Sequence, residues 1–164
     1  MWSLNLTSKA EVKWGNLLES PAKKIEFEKK FMGMLDLSDF NKINPKIPNR
    51  IYCNKIIMEP LVKVLNDLVR NKLISEIRSY DGCYNVRYIR GLEAQKKLSN
   101  HSWGIALDLN AYDNPLGVSR EDAIKKGLKP FTKKFCDTWK EYGFANGYDW
   151  PRKDGMHFEY INIS

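Results

Sequence analysis

The sequence predicts an α+β fold in which several helices pack with a small antiparallel sheet. Three observations predict it. Two segments before Ile74 have helical spacing of apolar residues, strand-like alternation begins at Ile74 and returns at the end of the chain, and the later strands lack a regular βαβ rhythm. A chain of 164 residues with 43% hydrophobic content can bury one core. We therefore expect one domain over 1–164, with a helical N-terminal part (1–70) and a part from about 75–164 that carries the candidate chemistry.

Two helices are predicted in the N-terminal part. The first has Ser20 as a cap and Pro21 at its first helical position. Its apolar face consists of Ile25, Phe27, Phe31, Met34 and Leu35. The segment "NKINPKIPNR" is rich in proline and asparagine and is predicted to be a connection. A second amphipathic helix begins at about Glu59 or Pro60 and continues through "LVKVLNDLVRNKL".

Strands and helices mix in the second part. "ISEIRSY" alternates like a strand, "DGCYN" is typical of a turn, and "VRYIRG" follows it. "GIALDLNAY" predicts a strand that places Leu107 and Asp108 on opposite faces, and "MHFEYINI" predicts a C-terminal strand. "SREDAIKKG", with a Ser119 cap, and "PFTKKFCDTWKEYG", which starts at Pro130 and ends at Gly143, predict two further helices.

Composition narrows the class of protein. A net charge of +7 favours an anionic partner, which includes nucleic acid, a membrane surface or an acidic cell-wall polymer. The basic residues are scattered among acidic ones without an RNA-binding motif, so nucleic acid ranks last. No stretch approaches the ~20 apolar residues of a membrane span, and the first 20 residues lack the pattern of a secretory signal. We expect synthesis in the cytoplasm without a signal peptide, and no stable membrane insertion.

The cysteines do not indicate a structural framework. Cys53, Cys83 and Cys136 are an odd number without a CxxC pair, which predicts free thiols rather than disulfides or a cysteine zinc finger.

The two histidines of the chain lie close to acidic residues. His101 precedes Asp108 by seven positions, and His157 follows Asp154 by three. Two imidazoles and one carboxylate form a ligand set of catalytic zinc sites, which leave a position for water. If the two strands are neighbours, Asp108 and His157 project from one face and His101 arrives from the preceding loop. The alternative is that these residues are hydrogen-bonded structural groups, although a buried Asp108 would still need a partner.

Two motifs resemble a known family. "SNHSWGIALDLN" resembles the SxHxxGxAxD signature, and "DGMHFEY" the second motif, of the zinc D-Ala-D-Ala peptidases. That family includes D,D-carboxypeptidases, D,D-dipeptidases and phage L-alanyl-D-glutamate endolysins, and the resemblance extends from about Tyr80 to Tyr160. It implies Zn²⁺ held by His101, Asp108 and His157, with Asp154 as the catalytic carboxylate. The alternative for Asp154 is a turn residue before Gly155.

The resemblance also implies an arginine that holds the scissile carbonyl and its developing negative charge. Arg87 is the better match, because the turn is followed by "YNVR". Arg90 is the alternative, and it could instead bind the carboxylates of the substrate or face solvent.

Weaker predictions concern contact with substrate. Ser99 could hydrogen-bond the substrate or steady the loop of His101, and Trp103 and Trp150 could wall the cleft, although aromatic residues more often belong to a core. Arg90 completes this predicted substrate-binding set.

The function implied by the resemblance is a zinc-dependent peptidoglycan peptidase that acts as a monomer on the stem peptide. Aspartate rather than glutamate at position 154 favours the endolysin branch and the L-Ala-D-Glu bond. The alternatives are a D-Ala-D-Ala carboxypeptidase or dipeptidase and, from another class, a non-catalytic zinc-containing module that binds the cell wall. An endolysin would reach the wall through a membrane lesion or on a phage particle.

Overall fold

The structure, a computed structural model that describes residues 2–164, confirms the α+β class. Its α-helices are α1 (Trp2–Trp14), α2 (Pro21–Phe31), α3 (Ser38–Ile43), α4 (Met58–Arg70), α5 (Arg120–Lys125) and α6 (Lys133–Glu141). Its strands are β1 (Met32–Asp36), β2 (Arg50–Asn54), β3 (Tyr80–Gly82), β4 (Ala106–Leu109), β5 (Phe144–Gly147) and β6 (Asp154–Tyr160). The strands form two antiparallel sheets, a pair β1-β2 and a four-stranded sheet in the order β3-β4-β6-β5.

The four-stranded sheet positions the candidate site. Its central strands β4 and β6 are neighbours, which the predicted site requires, and Asp108 lies opposite His157 in their register. Adjacent residues of a strand point to opposite faces. Phe158 therefore faces away from His157, and it packs against Trp139 of α6 with ring centroids 4.3 Å apart. One face of the sheet thus packs against α6, and the other carries Asp108 and His157.

The capped helices were predicted well. The Ser20 side chain accepts a hydrogen bond from the Lys23 amide at the start of α2, and Ser119 accepts one from Asp122 at the start of α5. α4 has the predicted amphipathic character and buries Leu61, Val64, Leu65 and Leu68. The last helix begins at Lys133 instead of Pro130, because Thr132 is the residue whose side chain caps it.

The prediction that the first helix extends through Met34 and Leu35 was wrong. The helix ends at Phe31, and Met32–Asp36 is strand β1, paired with β2. β2 begins at Arg50, the last residue of the predicted connection. Pairing with a distant segment overrides the local helical spacing here.

The strand predicted over "ISEIRSY" is also largely absent. Ile74–Glu76 forms a 3-10 turn, and β3 begins only at Tyr80. Two asparagine side chains replace the hydrogen bonds of a strand. Asn44 Nδ2 donates to the carbonyls of Ile74 and Ile77, and Asn110 Oδ1 accepts from the amides of Arg78 and Ser79.

The N-terminal helix packs against the part of the chain that precedes β4. Asn100–Trp103 form a 3-10 turn, and Trp103, fully buried, donates its indole N–H to the carbonyl of Gly15 at 3.0 Å. The buried core draws residues from Leu6 to Ile163. None of the helices in residues 2–164 has both the length and the apolar character needed to cross a bilayer.

Candidate metal centre

The predicted ligands His101, Asp108 and His157 come together. One ligand atom of each lies within 4.8 Å of the others. His101 Nε2 lies 3.2 Å from Asp108 Oδ2, His157 Nδ1 lies 3.2 Å from Asp108 Oδ1, and the two ring nitrogens are 3.2 Å apart. Both histidines are buried, and Asp108 is partly exposed. The two sequence motifs therefore build one cluster.

The outer nitrogen of each imidazole has a partner that accepts a hydrogen bond. His101 Nδ1 lies 2.7 Å from the carbonyl oxygen of Cys83, and His157 Nε2 lies 2.8 Å from Glu159 Oε2. A carbonyl oxygen and a carboxylate only accept, so these two nitrogens carry the protons. The other nitrogens, His101 Nε2 and His157 Nδ1, present lone pairs to Asp108 when the rings are neutral.

This arrangement fits a divalent cation. Two lone pairs and a carboxylate repel one another at these distances unless a positive charge lies between them. Asp108 Oδ1 is buried without a hydrogen bond from residues 2–164, although His157 Nδ1 is at ion-pair distance. The donor set of two imidazoles and one carboxylate suits zinc. Asp108 and Glu159 together would balance the two charges of such an ion.

A proton is the competitor of the metal for this position. Burial disfavours a charged imidazole, but the hydrogen bonds of Asp108 and Glu159 outweigh it and raise the pKa of His157 well above its usual value. Burial also opposes ionisation of Asp108, yet the imidazoles of His101 and His157 beside it hold the pKa of this carboxyl well below its usual value. A cluster that attracts a proton this strongly also attracts a cation.

Local sequence explains why His101 reaches the cluster. Ser99 caps the 3-10 turn and accepts a hydrogen bond from the His101 amide at 3.4 Å. Gly104 then reverses the chain into β4 with φ +66°. A Cβ atom at this position would lie 2.8 Å from the backbone nitrogen of Asn54 in β2. The tight turn and the close approach to β2 therefore both require glycine.

The three candidate ligands line a cavity of about 120 Å³, and Asp154 and Arg87 line the same cavity. Burial raises the pKa of Asp154; His157 opposes this rise and Asp108 adds to it. Arg87 is half-buried, and its amide donates to Ser102 Oγ at 3.0 Å. Its side-chain Nε is buried without a hydrogen bond from residues 2–164. Burial lowers the pKa of Arg87, and nearby Arg90 lowers it further. A carboxyl group and a guanidinium thus line the same cavity as His101, Asp108 and His157.

Residues 93–160 match the family model of D-alanyl-D-alanine carboxypeptidase. The matched segment contains the three metal-binding candidates and Asp154, whereas Arg87 and Arg90 lie before it. No curated protein and no solved structure matches the chain. The chain is therefore similar to a family of metallopeptidases over the segment that holds its cluster, and this likeness supports a hydrolase that acts on peptides.

The residues predicted to contact substrate do not all reach the cavity. Ser99 and Trp150 line it, and the Trp150 ring lies 5.3 Å from the His157 ring between centroids. Arg90 lines its exposed rim. Trp103 is placed in the core instead, where it packs under α1.

Several residues of the site had no clear signal in the sequence. Arg152 lines the cavity and donates from Nη1 to the carbonyl of Arg90 at 2.8 Å. An apolar wall is formed by Leu4, Ile89, Leu92, Leu116 and Met156. The carbonyl of Cys83 orients His101 through its backbone, which no side-chain pattern could reveal. Glu159 does have a signal, because alternation in "HFE" places it on the same face as His157, and in the structure its carboxylate contacts the His157 ring.

Proposed function

We propose that this protein is a zinc-dependent peptidase that hydrolyses an amide bond in the stem peptide of peptidoglycan. The observation that carries the proposal is the convergence of His101, Asp108 and His157 in a cavity that also presents Asp154 and Arg87. The bound zinc would act as a Lewis acid and make water a better nucleophile at neutral pH. The similarity of residues 93–160 to a carboxypeptidase family supports this class of reaction.

Asp154 is the proposed general base and acid. Its carboxylate would take the proton of the attacking water and pass it to the leaving amine of the substrate. Burial, which raises the pKa of Asp154, favours the first of these steps, because a carboxylate with a raised pKa is a stronger base and takes the proton of the water more readily.

Arg87 is the proposed partner of the carbonyl oxygen. A guanidinium stays charged and offers several donors to an oxygen that gains negative charge as water adds. Its backbone is held by Ser102, which bonds both the amide and the carbonyl of Arg87. A fixed cation of this kind stabilises the transition state without reorganisation.

The cavity suits an anionic peptide. Its cations Arg87, Arg90 and Arg152 outnumber the carboxylates Asp108 and Asp154, and a bound zinc would increase the positive charge. An apolar wall beside these cations fits a small alanine side chain next to a carboxylate. Together with aspartate at position 154, this favours the L-Ala-D-Glu bond of an endolysin. D-Ala-D-Ala, which also carries a carboxylate, is the alternative.

We further propose the cell wall as the place of action, with the protein working as a monomer. The net charge of +7 would draw it to anionic wall polymers over a longer range than any single contact. Release through a membrane lesion or carriage on a phage particle would bring it there.

The deciding experiment is mass spectrometry of the muropeptides released from purified peptidoglycan. We expect new amino termini at D-Glu, loss of release in the presence of a chelator, and recovery after zinc is added back. His157→Ala should abolish both zinc binding and release. Release of D-Ala alone would establish the carboxypeptidase alternative. Zinc binding without release from several wall types would overturn the peptidase proposal in favour of a binding module.

A further inference from the structure

The N-terminal helix α1 contacts the metal centre through a chain of buried polar side chains. Thr7 Oγ1 lies 3.1 Å from both Asn100 Oδ1 and the carbonyl of Leu98. Asn100 Nδ2 donates to Glu159 Oε2 at 2.9 Å, and the same oxygen accepts from His157 Nε2 at 2.8 Å. These four side chains link α1, the turn before β4, and β6.

The residues of this chain of contacts are buried, so the loss of a hydrogen bond between them is costly. Thr7 and Glu159 are 0% exposed and Asn100 is 1% exposed. A buried carboxylate must be matched by donors, since water is not there to replace them. Asn100 and His157 both donate to Oε2 of Glu159, so loss of either removes a donor that stabilises this buried charge.

Hydrogen-bond chemistry fixes the direction of the whole chain. Glu159 accepts, so Asn100 must turn its NH₂ group toward Glu159 and its oxygen toward Thr7. The Thr7 hydroxyl is in position to donate to that oxygen, and the carbonyl of Leu98 lies at the same distance of 3.1 Å. At the other end, Glu159 holds the proton of His157 on Nε2 and leaves Nδ1 with a lone pair toward the ion.

We propose that α1 is part of the metal centre: Thr7, through Asn100 and Glu159, holds the imidazole of His157 in the orientation and tautomer that bind the ion. Thr7 and Asn100 are positioning residues, because neither contacts the ion position. This gives residues outside the matched segment 93–160 a defined task in the site. The inference depends on the metal site of the proposed function but not on peptidase activity.

The test compares two substitutions of the same kind. Thr7→Val removes the hydroxyl and keeps the shape. Thr138→Val is the matched control, because Thr138 is also buried but its hydroxyl bonds only the carbonyl of Lys134 within α6, among the contacts of residues 2–164. Affinity for Zn²⁺ is measured by competition with a chromophoric chelator, and the ligand field is followed by the visible spectrum of the Co²⁺-loaded protein.

We expect Thr7→Val to raise the zinc dissociation constant about tenfold, the lower end of what outer partners of metal ligands contribute. The Co²⁺ spectrum should shift as well. Thr7→Ser, which restores a hydroxyl, should recover most of the affinity, and Thr138→Val should bind zinc like the unaltered protein. Equal affinities of Thr7→Val and Thr138→Val would overturn the inference. Circular dichroism verifies folding. If Thr7→Val does not fold, zinc affinity is compared between Thr7→Ser, which should bind nearly normally, and Asn100→Asp, which should bind more weakly. Equal affinities of these two variants would then overturn the inference.

A double-mutant cycle gives a second criterion. If Thr7 acts through Glu159, the effects of Thr7→Val and Glu159→Gln on zinc affinity should be strongly less than additive. Additive effects would mean that Thr7 acts by another route and would overturn the chain of contacts. Retention of this coupling in a protein that cleaves no peptidoglycan would contradict the proposed function and leave the inference standing.

Discussion

At the scale of single residues, Asp154 should separate proton transfer from metal binding. Asp154→Asn keeps the size of the side chain but cannot accept a proton. We expect zinc affinity to change little and kcat to fall by about a hundredfold or more, measured on released muropeptides. Asp149→Asn is the control, because Asp149 is exposed and pairs with Lys140. Full activity of Asp154→Asn would place the proton acceptor elsewhere.

Arg87 and Arg90 should differ in the kinetic constant that they affect. Arg87→Lys replaces the fixed fork of a half-buried guanidinium with a single ammonium, so we expect kcat to fall by about 10²-fold, as on loss of one oxyanion donor. Arg90→Lys, at the exposed rim, should mainly raise KM. Steady-state kinetics on a soluble stem peptide measure kcat and KM for both variants. A lower kcat in Arg90→Lys and a higher KM in Arg87→Lys would exchange the two roles.

The sequence predicted the candidate metal ligands, but it did not predict most of the groups that orient them. His101, Asp108 and His157 could be chosen from their motifs because metal chemistry restricts ligands to a few residue types. The groups that orient these ligands could not be chosen from a motif. The carbonyl of Cys83 has no side-chain signature, and Asn100 is bound to Glu159 across 59 positions of sequence.

At the scale of elements, the turn that ends at Gly104 should tolerate no side chain. Gly104→Ala has two costs, a left-handed backbone at φ +66° and a Cβ 2.8 Å from the Asn54 amide nitrogen. Gly127→Ala has only the first, since φ is +76° there and, apart from residues 126–128, no atom of residues 2–164 lies within 4 Å of the added Cβ. We expect Gly104→Ala to lower the free energy of unfolding by about 1–3 kcal/mol more than Gly127→Ala.

Urea denaturation in the presence of a chelator measures this difference without a contribution from the metal. Zinc affinity should also fall in Gly104→Ala alone, because the turn carries His101. Equal destabilisation by the two substitutions would contradict this prediction and would show that β2 can move away from the added Cβ atom at little cost.

The elements that could be predicted were those with a strong local signal. α2, α4 and α5 combine caps or amphipathic spacing that act within a few residues. β1, β2 and β5 have four or five residues each and depend on distant partners for their backbone bonds. Residues 74–79 alternate like a strand, yet the side chains of Asn44 and Asn110 bind their backbone instead. A local pattern of apolar residues does not indicate that distant side chains will bind the backbone in place of a neighbouring strand.

At the scale of the whole molecule, α1 is joined to the site by contacts that span most of the chain. Thr7 bonds Asn100 across 93 positions, and Trp103 bonds Gly15 across 88. Sequence separation of this size leaves no periodic signal. For that reason the motifs pointed to the C-terminal half, whereas the structure brings the N-terminal helix against the turn that carries His101.

The stability of the molecule should also depend on pH differently with and without metal. In the metal-free protein, burial disfavours a charged His157, but Asp108 and Glu159 outweigh it and raise the pKa of this imidazole well above its usual value. A raised native pKa stabilises the fold fully below the unfolded pKa, and this contribution is lost as pH rises through the native pKa. Asp108, whose pKa is lowered, contributes above its unfolded value and loses this contribution only in acid.

The metal-free protein should therefore lose stability as the pH rises above about 6.5. Zinc requires unprotonated imidazoles, so its affinity should increase over the same range. Because a ligand stabilises by RT ln(1 + [L]/Kd), the gap in Tm between zinc-loaded and chelator-treated protein should widen with pH. Thermal unfolding at several pH values, with His157→Gln as the control, measures this gap. A gap that stays constant would mean that no proton leaves the site when the metal enters, which contradicts the electrostatics of His157, Asp108 and Glu159.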